Sequence, residues 1–212
     1  MKKDKSPYSA AFTGCSFMMY EMNRMLPLFL AENSDELIMQ EIEVNRVLMV
    51  NTVTSRKKYI LELKRRFESV PRQYWEYYMQ WSENEQRLGL LYVLLRTYRI
   101  VLDFHLNVAL RKWHSIDHRL SFDDVATELS QIAANDTFVD SWSDSTKNRV
   151  VSAYLTFLSQ SGIYDKKTLE LHRAANVGNS FYAYYICNGQ DWFLETCLLY
   201  PYEIEQVKQC AL

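Results

Sequence analysis

Residues 82–113 read SENEQRLGLLYVLLRTYRIVLDFHLNVALRKW, and this stretch decides the fold. Ser82-Glu83-Asn84-Glu85 has capping-box spacing: the Ser side chain can accept from a first-turn amide while the Glu three positions on reaches back to the cap. The run that follows predicts the longest helix of the chain, from Leu88 to about Trp113. Leu88, Leu91, Tyr92, Leu95, Leu102, Leu106 and Ala109 share one face, and Val93, Leu94, Val101, Phe104 and Val108 another. Only a narrow polar stripe remains, Arg96, Arg99, Asp103 and Asn107, advancing by three or four residues along one side. A helix apolar on nearly every side belongs at the centre of its domain. The same stretch is the most apolar of the chain, but Arg96, Arg99, Asp103, His105 and Asn107 interrupt it, and burying them in lipid is too costly for a transmembrane span.

Upstream, Met18, Met19, Met22, Met25, Leu26, Phe29 and Leu30 have helical spacing within Ser16–Ala31, with Pro27 expected to kink or end the helix. Ser34 is placed to cap a second helix to about Met49, with Leu37, Ile38, Ile42 and Val44 inward. A third begins near Ser55 with Tyr59, Ile60, Leu63 and Phe67 as its apolar stripe; Arg56, Lys57, Lys58, Lys64, Arg65 and Arg66 are left for its other faces. Pro71 opens an aromatic turn or helix, Tyr74 to Trp81. Downstream, the pattern changes after His114-Ser115-Ile116-Asp117-His118, which predicts a helical bundle over 1–115 and a second unit over 116–212. In that second unit Ser121-Phe122-Asp123-Asp124 caps a helix to about Ala133, Asn135–Asp144 reads as loop, and Ser145–Ser161 reads as a helix stopped by Gly162. Ile163-Tyr164, Thr168–His172 and Phe181–Ile186 are short β-branched or aromatic runs that suggest a small hairpin, and Gln190 to Cys210 completes the chain as helical or capping segments. The expectation is a mainly α protein, a helical bundle followed by a helix-turn-helix or winged-helix-like unit.

Composition narrows the chemistry. The 212 residues are 48% apolar and 24% charged, enough for one or two domains with real cores. Only five glycines occur, all isolated, against about fifteen at average usage, and none forms the G-x-G-x-x-G or G-x-x-x-x-G-K pattern that cradles a nucleotide phosphate. Cys15, Cys187, Cys197 and Cys210 contain no C-x-x-C pair, so free buried thiols in a reducing cytosol are the expectation, with no metal and no cofactor implied. Lys2, Lys3 and Lys5 lead into Ser6-Pro7-Tyr8 rather than an apolar core, so no secretory signal is read there.

The net charge of -2 conceals its distribution. Residues 54–72 hold seven Lys or Arg against two Glu, residues 115–144 seven acids against one Arg, and residues 145–173 five Lys or Arg against two acids. Dense basic patches bind phosphate whatever the total charge, although the first patch also fits an ordinary solvated helix face. If Ser145–Ser161 is a recognition helix, its outer face carries Ser145, Arg149, Ser152 and Thr156, with Lys147 and Asn148 near its start and Lys166 and Lys167 on a following wing. Candidate DNA-binding residues are therefore Lys147, Asn148, Arg149, Ser152, Lys166, Lys167 and Arg173, with Arg56, Lys57, Lys58, Lys64, Arg65 and Arg66 on the first patch. A helical cap domain with a polar face explains the same pattern without DNA. Enzyme signals are poor. Ser180 lacks a nucleophile elbow, His114 and His118 read better as a polar linker than as metal ligands, and Arg96, Arg99, Asp103 and His105 read better as a buried network than as an anion site. Tyr74, Trp75, Tyr77, Tyr78 and Trp81 could stack bases, yet they suit packing equally well.

Tyr8-Ser9-Ala10-Ala11-Phe12-Thr13-Gly14, Ser82-Glu83-Asn84-Glu85-Gln86, Arg96-Thr97-Tyr98-Arg99 and Asp103-Phe104-His105 together resemble the BrxA family, most strongly over residues 8–125. Cys15 departs from the second small residue expected after Gly14. The resemblance implies a non-enzymatic component of bacteriophage exclusion (BREX) systems: a mainly helical cytoplasmic protein, similar in its helical part to the antitermination factor NusB, and associated with double-stranded DNA. It also implies work beside a methyltransferase, an ATPase, a phosphatase-like protein and a protease-like protein. The family supplies no catalytic residues, and its recurrent Arg99, Asp103 and His105 mark membership without a role. Two other readings are a protein–protein scaffold, in which the basic helix docks an acidic partner, and an RNA-binding module by analogy with NusB.

Overall fold

The structure, a computed structural model, describes residues 6–211; Lys2, Lys3 and Lys5 lie outside them. The chain enters as a strap, residues 6–18, containing a one-turn 3-10 helix at Ala11–Gly14. Helices α1 (Met19–Phe29), α2 (Ser34–Val44), α3 (Val53–Glu68) and α4 (Arg72–Tyr78) follow. α1 starts from a left-handed Met18 and runs two residues past Pro27. α2 is preceded by Asn33 rather than capped by Ser34, and it stops at a left-handed Asn45, short of Met49. Only Ile38 of its expected inward residues is buried, while Val44 is exposed. The loop beyond α2 is held instead by Glu41, whose carboxylate accepts from the amides of Arg46, Val47 and Leu48 at 2.8–3.0 Å.

The stretch expected as the longest helix is divided. α5 (Glu83–Thr97) ends at Tyr98, whose extended backbone (φ -123°, ψ 109°) also starts α6 (Arg99–Phe104). A π-turn at His105–Ala109 and α7 (Leu110–Trp113) continue from α6. The break has a tertiary cause. Turning the chain at Tyr98 lays its ring 4.9 Å from that of Phe12 in the strap. Eight consecutive residues of α5, Leu88–Leu95, are buried, as expected of a central helix. Gly89 is one of them because Tyr74 approaches it closely: the Tyr74 hydroxyl donates to the Gly89 carbonyl at 2.7 Å, and a Cβ there would come within 2.8 Å of that hydroxyl and of the Trp81 ring.

α8 (Phe122–Asn135) opens on the expected cap, with Asp124 accepting from the Ser121 amide at 2.8 Å and the Ser121 hydroxyl accepting from the Asp124 amide. The predicted loop after it holds a one-turn helix, α9 (Thr137–Asp140), capped by Asp136. Ser143 caps α10 (Asp144–Gln160), a 17-residue helix and longer than α5. Gly162, at φ +80°, ends it. The hairpin follows as β1 (Tyr164–Asp165) and β2 (Glu170–Leu171), and an antiparallel bridge from Arg119 to Glu170 adds a third rung, giving the order Arg119, β2, β1. Phe181–Ile186, expected as part of the hairpin, lies in helix α11 (Asn179–Cys187), because its rings pack on the Tyr74–Trp81 cluster: Phe181 and Tyr184 lie 4.8 and 5.4 Å from Trp81. α12 (Trp192–Thr196) and α13 (Pro201–Ala211) complete the fold.

The fold is mainly helical, and its buried apolar side chains form one cluster that runs from Phe12 to Val207. Packing crosses the expected division near residue 116, for Phe12 meets Phe157 at 5.6 Å, Tyr74 meets Tyr185, and His105 donates from Nε2 to the Thr196 carbonyl and accepts at Nδ1 from the Tyr154 hydroxyl. Cys15 and Cys197 are buried, but Cys187 and Cys210 are exposed, against the expectation for all four. No helix among the described residues is long and apolar enough to cross a membrane.

Candidate nucleic-acid interface

The first basic patch lies on α3, and two of its cations face inward. Arg66 is fully buried, with its Nε on Glu62 at 3.1 Å and its two Nη groups donating to the carbonyls of Phe17 (2.8 Å), Ser16 (3.0 Å) and Cys15 (3.4 Å). Burial pulls its guanidinium below the ordinary value, opposed by the charge of Glu62. Arg56, 6% exposed, donates to the carbonyls of Ile42 (2.7 Å) and Val50 (2.9 Å) and so ties α3 to the loop after α2. Both were expected on outward faces; both are consumed by backbone acceptors. The signal was present in the spacing, since Arg56 lies four residues before Ile60 and Arg66 three after Leu63, on the edges of the apolar stripe.

The remaining candidates divide by how fully their charge is engaged. Lys64 pairs with Asp35 at 3.3 Å, Arg65 with Glu62 at 2.9 Å, and Arg173 with Glu203. Lys147 donates to the Asp140 carbonyl at 3.1 Å with that residue's carboxylate beside it, and Lys166 donates to the Thr156 hydroxyl at 2.9 Å. Lys57, Lys58, Arg149 and Lys167 present cationic ends with no acceptor among the described residues. Asn148 and Ser152 are exposed on α10 next to Arg149.

The fold brings the two patches together. α3 and α10 are far apart in sequence, and the 3-10 turn of the strap sits between them. A cavity of about 380 Å³ is lined by Lys58, Glu62, Arg65, Arg149 and the strap residues Ala10–Cys15 except Phe12. A neighbouring one of about 430 Å³ shares Thr13, Gly14 and Arg149 with it and extends along Ser152 and Thr156. A third, of about 280 Å³, shares Ser152 and Thr156 and reaches Lys166 on the hairpin. These share residues in series as one groove from α3 over the strap and along α10 to β1, mixed in lining beside the strap and largely apolar at the hairpin end, where Phe122, Leu155, Tyr164 and Leu169 face it. Thr13 and Gly14, which floor it, were missed by charge counting because neither carries charge.

Other candidates have structural roles. Asp103, 6% exposed, pairs with Arg99 at 2.8 Å and accepts from the Tyr8 hydroxyl at 3.0 Å, anchoring the strap. His105 is fully buried, Nε2 2.9 Å from the Thr196 carbonyl and Nδ1 3.2 Å from the Tyr154 hydroxyl, and burial pushes its pKa down to about 4. Arg96 lies over Tyr92 and donates to Gln190. His114 and His118 do not share a helix, since α7 ends at Trp113; His114 approaches Glu195, and the His118 ring packs at a tilt against Trp113. Tyr74, Trp75 and Tyr78 are buried, which leaves packing as their role. Among the described residues no three His, Cys, Asp or Glu side chains gather as a metal site.

The protein is mainly helical, with a surface groove that Lys58, Arg65, Arg149 and Lys166 line among neutral and apolar side chains and Glu62. The BrxA family profile matches residues 6–175, and the chain belongs to the BrxA family, whose membership implies a component of a BREX phage-defence system. Among solved structures it is similar to the crystal structure of an uncharacterized protein from Magnetospirillum magneticum, with a TM-score of 0.76 at 20% identity over 91% of this chain and 98% of the other, a likeness of fold. No curated protein sequence matches the chain.

Proposed function

We propose that this protein is a non-enzymatic, cytoplasmic BREX component that binds double-stranded DNA along the groove between α3 and α10 and works with the other proteins of the system. The observation that carries the reading is the convergence of Lys58 and Arg149, neither with an acceptor among the described residues, on a single groove that continues to Lys166. Residues 118–172 support it as a winged-helix-like unit. What supports that reading is the succession of α8, α10 and a hairpin joined to residue 119 in the order Arg119, β2, β1, although α9 lengthens the link beyond the roughly 3–4 residues of a simple helix-turn-helix. In this reading the N-terminal half of α10 presents Asn148, Arg149 and Ser152 to the duplex, and Lys167 on the wing meets the backbone.

Salt-titrated anisotropy with duplex DNA tests it. Each phosphate contact contributes about 0.9 to the slope of log affinity against log salt. A variant with Lys58, Arg149 and Lys167 all changed to Ala should lose roughly 2–3 from that slope, and unchanged affinity and slope would remove the groove as the interface. An RNA duplex or single strand that displaces the DNA at physiological salt would turn the same surface into an RNA site.

A further inference from the structure

The groove contains one position whose chemistry neither charge nor backbone conformation explains. Gly14 is exposed, and its φ is not left-handed, so neither burial nor conformation requires glycine there. What a side chain would meet is Lys58: a Cβ at residue 14 would overlap the Lys58 ammonium and come within 3.1 Å of its Cε. The lysine lies flat across the turn because the turn has no side chain at that point.

Its charge is left open by its own helix. Glu62, one turn on, is the natural i,i+4 partner of Lys58. Glu62 instead faces Arg66 through Oε1 at 3.1 Å and Arg65 through Oε2 at 2.9 Å, and among the described residues no hydrogen bond or ion pair joins it to Lys58. Arg149 enters the same cavity from α10 without an acceptor among the described residues. Glu62 is the one carboxylate lining this cavity and is shared by Arg65 and Arg66, so Lys58 and Arg149 bring an excess of positive charge to it; a phosphate offers several acceptor oxygens to an ammonium on one side and a guanidinium fork on the other.

We propose that Lys58 and Arg149 clamp a single phosphodiester of the duplex over the strap, and that Gly14 is the positioning residue that lets the Lys58 ammonium reach it. This rests on the DNA-binding reading above and assigns one backbone phosphate to a defined place in the groove. Gly14→Ala keeps the fold, since the atom it displaces is the far end of a flexible side chain, but it moves the ammonium off the turn.

The test is a double-mutant cycle on the full chain, using Gly14→Ala, Lys58→Ala and the pair, with duplex affinity measured from 50 to 200 mM salt and thermal midpoints in parallel. Lys58→Ala should reduce the salt slope by about 0.9, so that its deficit against wild type shrinks about 3.5-fold between the two salt concentrations. Gly14→Ala should reproduce that change with an unaltered midpoint, and the pair should bind no more weakly than Lys58→Ala alone. A Gly14→Ala protein that binds like wild type, or one whose loss persists in full on the Lys58→Ala background, overturns the clamp. If wild type and the Arg149 and Lys167 variants behave as the DNA reading requires while the cycle shows no coupling, only the clamp fails; if wild type binds no duplex, both fail.

Discussion

Arg66→Ala separates a cation that binds a ligand from one that holds the fold. Arg66 sits in a charged segment, so its charge alone argues for a surface role. In the structure it has no exposed surface and donates to the Glu62 carboxylate and to three successive carbonyls of the strap, Cys15, Ser16 and Phe17. Truncation leaves one carboxylate oxygen and three carbonyls without this donor in a buried setting. A single orphaned acceptor costs about 1–3 kcal/mol, and breaking a buried ion pair by removing one partner costs about 3–5 kcal/mol. The separate costs do not add, because Arg65 still holds Glu62 and water can enter the vacated volume, so about 4 kcal/mol is the expected loss. In a domain of this size each kcal/mol lowers the midpoint by roughly 2–4 °C, which puts Arg66→Ala about 8–16 °C below wild type. Lys57→Ala, an exposed change on the same helix, should stay within about 0.5 kcal/mol. Scanning calorimetry or urea unfolding measures both. An Arg66→Ala midpoint within about 2 °C of wild type refutes the buried assignment. Arg66→Lys sharpens the test, since one ammonium cannot span the four acceptors of the fork: it should lose part of the stability yet keep the wild-type affinity for duplex DNA wherever it is folded.

The remaining predictions concern the buried centre. His105 is held neutral, its pKa pushed down to about 4 by burial, while in the unfolded chain it titrates near 6.5. Between those values the unfolded state binds the extra proton, so stability rises with pH, is fully present above about 6.5, and falls by about 3 kcal/mol as the pH drops to about 4. His105→Gln removes that titration, so its midpoint deficit against wild type should shrink on acidification from pH 7 to pH 4.5, and parallel pH profiles would sink the argument. The Tyr98 hydroxyl is buried with no hydrogen-bond partner among the described residues, so Tyr98→Phe should leave stability unchanged or raise it by up to about 1 kcal/mol. A loss of more than that in urea unfolding would show a partner for the hydroxyl.

What could be read from the chain was what is decided locally. The caps at Ser82 and Ser121 and the stop at Gly162 depend on neighbours within a few residues, and the burial of Leu88–Leu95 is announced by a near-continuous apolar run; the structure has each where the sequence puts it. The break at Tyr98 depends on Phe12, 86 positions away in the chain, and Arg96-Thr97-Tyr98-Arg99 holds no Pro or Gly to announce it. Phe181–Ile186 fails for the same reason. Its aromatic composition favours a strand in isolation, and the Trp81 and Tyr74 rings that make it a helix come from another part of the sequence. Segment charge sums have a parallel blind spot, because they weigh Arg66 and Lys58 alike although one is spent on backbone carbonyls and the other is open.

The residues that mark the family also take on a physical meaning. Tyr8 is tied to Asp103 and through it to Arg99, and Phe12 packs on Tyr98 and Phe157; outside the family motifs, Arg66 of α3 grips the carbonyls of residues 15–17. All of these contacts act on one object, the strap over residues 6–18. The strap in turn separates α3 from α10 and floors the groove in which Lys58 and Arg149 meet. Within the family motifs Tyr8, Phe12, Tyr98, Arg99 and Asp103 are therefore fastenings of the strap, while Thr13 and Gly14 of the first motif lie in the groove itself.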